Sequence, residues 1–120
     1  MKKHLIILTS VDVMRIAPES VVYIESDGNY STLVQMNGER RMLTFQLGQM
    51  EKMIALQLGI EGSIFIRIGK SLIINRSFIY YINPSKQKLT LSDAATFSYT
   101  ITASREALKQ LKELVEKEIK

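Results

Sequence analysis

Residues Phe65 to Asn75 read FIRIGKSLIIN, and the rest of the chain is organised around this run. Ile64, Ile66 and Ile68 alternate with Phe65 and Arg67, so a strand here puts the branched side chains on one face and Arg67 on the other. Leu72, Ile73 and Ile74 form a second apolar segment after the break at Gly69-Lys70-Ser71. Asn75 can cap a helical turn over Arg76, Ser77 and Phe78. Buried anchors on both sides of a glycine, a lysine and a serine predict a rigid bend with a cation at its tip. Such a bend holds a basic side chain still, so that it can meet a phosphate or a base edge.

The 120 residues suit one domain, and a hydrophobic share of 46% is enough to bury a core. With no cysteine, disulfides, thiolate metal sites and cysteine nucleophiles are excluded together. The one histidine, His4, stands near the N-terminus, so counting also excludes zinc sites built on His and Cys. Neither a metal nor a cofactor is expected. The net charge of +4 permits a nucleic acid or an acidic surface as partner. Apolar runs such as Leu5 to Leu8 are too short to span a bilayer, and no signal peptide follows the basic start, so the expected location is cytoplasmic.

Outward from the central run, His4–Thr9, Val11–Ile16, Val21–Ser26, Tyr30–Met36 and Glu39–Leu43 read as strands. In the third, Val22 and Ile24 oppose Val21, Tyr23 and Glu25. Asp27-Gly28 marks a turn, and Asn37-Gly38 predicts a hairpin of type I′, with positive φ at both residues. From Thr44 the period changes. Leu47, Met50, Ile54 and Leu58 recur at helical spacing, with Thr44 as the cap and Gly59 as the stop. Phe78–Asn83 is a strand, and Lys88–Ser92 with Thr96–Thr102 a hairpin about Asp93-Ala94-Ala95. Ser104 caps a last helix carrying Leu108, Leu111, Val115 and Ile119 on one side. The sum is a mainly β domain, an antiparallel assembly of two or more sheets with two helices.

Catalytic signals are weak. Glu25 and Asp27 flank a turn, but no second acidic cluster partners them, and Asp27 reads more simply as an Asx turn. Ser71 and Ser104 have no histidine to activate them, and no Walker-type loop occurs. The cations say more. Lys70 sits on the bend. Arg105 opens the last helix, where the positive end of the helix dipole disfavours an arginine, so a purpose outside the helix is indicated. Asn29, Tyr30 and Ser31 follow the Asp27-Gly28 turn and supply short polar groups and a ring at a loop tip. These residue types suit base-edge and phosphate contact.

Taken in order, YIES at 23–26 leading to Asn29-Tyr30, RMLT at 41–44, FIRI at 65–68 with Lys70-Ser71 and Ile74-Asn75, and Ser104-Arg105 resemble the LytTR-type DNA-binding domain of bacterial transcription regulators. The likeness runs from about Val11 to Leu111, and it is the order of the four motifs that carries it. It implies elongated, stacked antiparallel sheets of about ten short strands with two short α-helices. It also implies binding to direct repeats in double-stranded DNA through loops laid into successive major grooves. By position, Asn29, Tyr30, Ser31, Lys70 and Arg105 would be the base-proximal contacts, with Arg67 and Arg76 as further phosphate contacts. The family usually has a histidine where Gly69 stands and often an aromatic where Leu72 stands. Most relatives carry a receiver domain ahead of this module. Here 120 residues accommodate the DNA-binding domain alone, so a response-regulator-like module standing by itself is expected.

The leading reading is therefore a sequence-specific DNA-binding transcription regulator, not an enzyme, with double-stranded DNA as partner, a homodimer on that DNA, and no membrane. A competing reading keeps the fold as a protein-interaction or ligand-sensing module with little DNA affinity. A third uses Tyr23, Tyr30, Tyr80 and Tyr81 as stacking platforms for single strands.

Overall fold

The computed structural model describes residues 3–119. In chain order it contains β1 (Leu5–Leu8), β2 (Val13–Ile16), β3 (Val21–Ser26), β4 (Ser31–Gln35), β5 (Arg40–Leu43), helix α1 (Leu47–Leu58), β6 (Phe65–Ile68), β7 (Leu72–Asn75), β8 (Ile79–Asn83), β9 (Lys88–Ser92), β10 (Ser98–Thr102) and helix α2 (Arg105–Glu118). The strands form three antiparallel sheets, ordered β1-β2, β5-β4-β3-β7-β6 and β10-β9-β8. The long dimension of the molecule exceeds the short one by more than half, at 42 × 33 × 27 Å.

The centre of the five-stranded sheet is buried on both faces, which is why β7 reads as an unbroken apolar run. Ile73 enters one core with Ile24, Leu33, the β1–β2 hairpin and the Leu47, Met50, Ile54 and Leu58 stripe of α1. Leu72 and Ile74 enter the other, with β9 and the Ala107, Leu108 and Leu111 face of α2. The sheet is thus the middle layer of three, and a change on either face of β7 is felt by a different helix. Asn75 is fully buried. Its Oδ1 accepts from the Ser77 N–H at 2.9 Å, the cap expected from sequence, and its Nδ2 donates to the Val21 carbonyl at 2.9 Å.

Several local expectations are corrected by packing. Ile64 lies in the 3₁₀ turn Gly59–Ile64 rather than on β6, and Phe65 joins the first core while Ile66 and Ile68 join the second. Strict alternation fails in β3, where the pairing with β4 shifts between Val21 and Tyr23. The extra residue puts Val22 and Tyr23 together in the second core. The Asn37-Gly38 hairpin forms, but only Gly38 has positive φ, at 88°. The Gly38 N–H donates to the Gln35 carbonyl, and the Gln35 N–H to that of Glu39. This is the three-residue loop that ends in a left-handed glycine, not the two-residue type I′ turn. Helix α1 starts after Gln46 instead of Thr44, with Gln49 Oε1 accepting from the Gln46 N–H at 2.8 Å. Just before this start the Phe45 carbonyl accepts from the Ser31 hydroxyl at 2.7 Å, which ties the segment to β4. On α2, Ser104 caps as expected, but Ile119 is 82% exposed, and burial stops at Leu111 with Val115 half-buried.

The β9–β10 loop holds one strongly perturbed carboxylate. Asp93 Oδ1 accepts from the N–H groups of Ala95, Thr96 and Phe97, and Oδ2 from the Thr96 hydroxyl. The hydroxyl bond, then the backbone donors, hold the Asp93 pKa well below the usual carboxylate range. The folded chain therefore binds this proton less tightly than the unfolded chain. The stabilisation is complete above the ordinary carboxylate pKa and is lost as pH falls below it. Asp93→Asn is expected to lower the denaturation midpoint at pH 7 and to narrow the gap between the midpoints at pH 7 and pH 3. Equal acid sensitivity in wild type and variant would remove Asp93 from the acid limb.

Candidate nucleic-acid interface

Antiparallel pairing decides which loops meet. The C-terminal end of β3 lies beside the N-terminal end of β7, and the Ser26 N–H donates to the Ser71 carbonyl at 2.8 Å. The β3–β4 turn and the 69–71 bend therefore share one end of the middle sheet. Leu43 of β5 pairs with Ser31, so the chain also enters α1 at this end. Helix α2 begins on the other side of the bend, where a Cβ on Gly69 would stand 3.6 Å from the Ala107 Cβ. Gly69 has φ +61°, a left-handed backbone that glycine adopts without steric cost. Lys70 lies between two clefts, one shared with Gly28 and Gly48, the other with Ser104 and Ala107.

Within this end the candidate residues fare differently. Lys70 and Arg105 are exposed, and neither has an ion pair or side-chain hydrogen bond among the described residues. Asn29 is exposed and its side chain is similarly free, and Tyr30 is 44% exposed. Their turn is rigid. Asp27 Oδ1 accepts from the Tyr30 N–H at 3.0 Å, the Asp27 N–H donates to the Tyr30 carbonyl at 3.1 Å, and Ser26 Oγ accepts from the Gly28 N–H at 3.0 Å. Ser31 is withdrawn from the surface. It is fully buried and its hydroxyl is spent on the Phe45 carbonyl, so it serves the fold.

Arg67 is at this end but already engaged, by Glu51 at 3.0 Å and by the Lys70 carbonyl at 3.4 Å. Arg76 is elsewhere. It follows the far end of β7 and pairs with Glu118, thirteen positions along α2 from Arg105 and therefore about 20 Å away along the helix axis. The tyrosines do not make one platform: Tyr23 is buried edge-on to Tyr99, and Tyr80 and Tyr81 belong to β8, leaving Tyr30 alone beside the bend. Sequence reasoning missed Glu51. It sits on α1 among residues whose period indicates only a packing helix, and nothing local links it to a strand residue sixteen positions away. Among the described residues, no helix is long and apolar enough to cross a membrane.

A family model described as the LytTr DNA-binding domain matches residues 12–116. Among solved structures, the LytTr DNA-binding domain of a Bacillus cereus protein described as a methyl-accepting/DNA response regulator superposes with a TM-score of 0.62. The two chains are 17% identical, and the match covers 96% of this chain and 98% of the other, so the likeness is one of fold. No curated protein sequence matches the chain.

Proposed function

Because this chain belongs to the LytTR family of DNA-binding domains, we propose that it is a sequence-specific transcription regulator that reads double-stranded DNA with the 69–71 end of its middle sheet. The observation that carries this reading is the pair of cations, Lys70 and Arg105, unengaged among the described residues and set at the same end of the sheet as the hydrogen-bonded Asn29-Tyr30 turn. Neighbouring strands are about 4.8 Å apart, so turn tips one or two strands apart span less than the roughly 12 Å width of a major groove. Lys70 and Arg105 neutralise phosphates or read base edges, Asn29 offers an amide to a base edge, and Tyr30 an apolar ring with a hydroxyl. Direct repeats suit the reading, because one such end occupies one groove face and a second copy of the chain the next. The working location is then the bacterial cytoplasm, where the DNA is.

The test is selection of duplexes from a random pool, followed by anisotropy titration between about 50 and 200 mM salt. A repeated half-site should emerge, with affinity falling linearly on a log–log salt plot. A pool without enrichment over its starting composition would reject sequence-specific reading and leave the domain as a protein-interaction module.

A further inference from the structure

Arg67 and Glu51 form the one ion pair among the described residues that touches the bend. Arg67 Nη1 donates to Glu51 Oε1 at 3.0 Å, while Nη2 of the same guanidinium donates to the Lys70 carbonyl at 3.4 Å. Gly48 stands three residues before Glu51 on α1, hence on the same side of the helix. A Cβ there would lie 3.9 Å from Nη1, an ordinary contact, so the guanidinium packs along this side of α1. One planar fork thus reaches from α1 to the backbone at the tip of the bend. A lysine, with a single nitrogen, cannot span both partners in this way. The charge of Arg67 is balanced by Glu51, and both arms of its fork are in use.

We propose that Arg67 is a positioning residue rather than a DNA contact, and that Glu51 is its anchor, so that helix α1 sets where Lys70 points. This rests on the reading that the bend meets DNA. The two roles predict opposite signs. If Arg67 met a phosphate, Glu51 would be an acid beside an anion. Glu51→Ala would then free the guanidinium and raise affinity, and Arg67→Ala would flatten the salt slope by about one unit. As a strut, the pair has another signature. Glu51→Ala and Arg67→Ala both lower affinity for the selected duplex, by roughly two- to fivefold given the exposure of the pair. Both reduce discrimination against an altered half-site, and neither changes the salt slope. Arg67→Lys does not restore binding.

The experiment pairs those titrations with backbone ¹⁵N relaxation on the free chain. Order parameters at Gly69, Lys70 and Ser71 should fall in Glu51→Ala and Arg67→Ala, while those at Ile73 and Ile74 stay at the wild-type values. Unchanged order parameters at the bend in both variants overturn the proposal, whatever DNA does. So does a gain of affinity in Glu51→Ala with a flatter slope in Arg67→Ala. Lower order parameters at the bend, in a chain whose wild type enriches no duplex, support the strut and reject the DNA reading alone.

Discussion

Lys70→Ala and Arg105→Ala are each expected to weaken binding to the selected duplex by roughly ten- to a hundredfold at fixed salt. The size follows from their setting. Both side chains are exposed and have no partner among the described residues, so contact with DNA breaks no ion pair formed there. Both are mounted on backbone that is already ordered, Lys70 by the bend and Arg105 by the Ser104-capped first turn of α2. Their removal should leave the fold intact. Arg105 sits at the positive end of the helix dipole, where a neutral side chain is at least as favourable. Unfolding midpoints of both variants should therefore match wild type, which isolates the binding effect. A residue that reads a base edge loses discrimination, whereas one that meets only phosphate loses affinity evenly across sequences and lowers the salt slope by about one. Lys70 borders the cleft around Gly69 together with Ser104, the residue before Arg105, so the double variant measures whether the two effects couple. Wild-type affinity in both single variants would remove this end of the molecule as the DNA surface.

Asn75→Ala is expected to cost about 2–4 kcal/mol of stability. The side chain is fully buried, and each end of its amide has a partner: the Val21 carbonyl across the sheet and the Ser77 N–H in the following 3₁₀ turn. Alanine deprives both of that partner, and for the carbonyl of buried Val21 water does not replace it. For a domain whose total stability is of the order of 5–15 kcal/mol, that loss is a large fraction. Asn75→Asp is an informative companion. It keeps the acceptor for Ser77 but has no donor for Val21 and places a charge in a buried site, so at neutral pH it should be at least as damaging. Urea unfolding followed by fluorescence and circular dichroism measures both, with the midpoint falling and the slope unchanged. A midpoint within experimental scatter of wild type for Asn75→Asp would show that the Val21 hydrogen bond carries no net stability.

Asn75 also marks how far local reading extends. Its cap over Ser77 follows from residue type and position, since an amide before a polar turn has a neighbouring N–H within reach. Its bond to Val21, fifty-four positions away, depends on β3 and β7 becoming neighbours. The same division runs through the site. Lys70 on a glycine bend and Arg105 after a capping serine are local patterns. That the bend faces Ala107, that Ser31 turns inward to Phe45, and that Arg76 is drawn to Glu118 are outcomes of pairing between distant segments.

By itself, the sequence determined where the chain is strand, where it is helix and where it turns, and it marked the two cations proposed to meet DNA. Periods of two and of 3.6, a left-handed glycine and a side-chain cap act over a few residues and need no partner. Tertiary structure alone decided which face each residue serves and which side chains remain free. A single bulge in β3 moved Val22 and Tyr23 into one core, and a salt bridge from α1 engaged Arg67 while Lys70 was left without a partner among the described residues. Those outcomes depend on which surfaces come within hydrogen-bonding and ionic range after the sheets stack, and that range connects residues far apart along the chain.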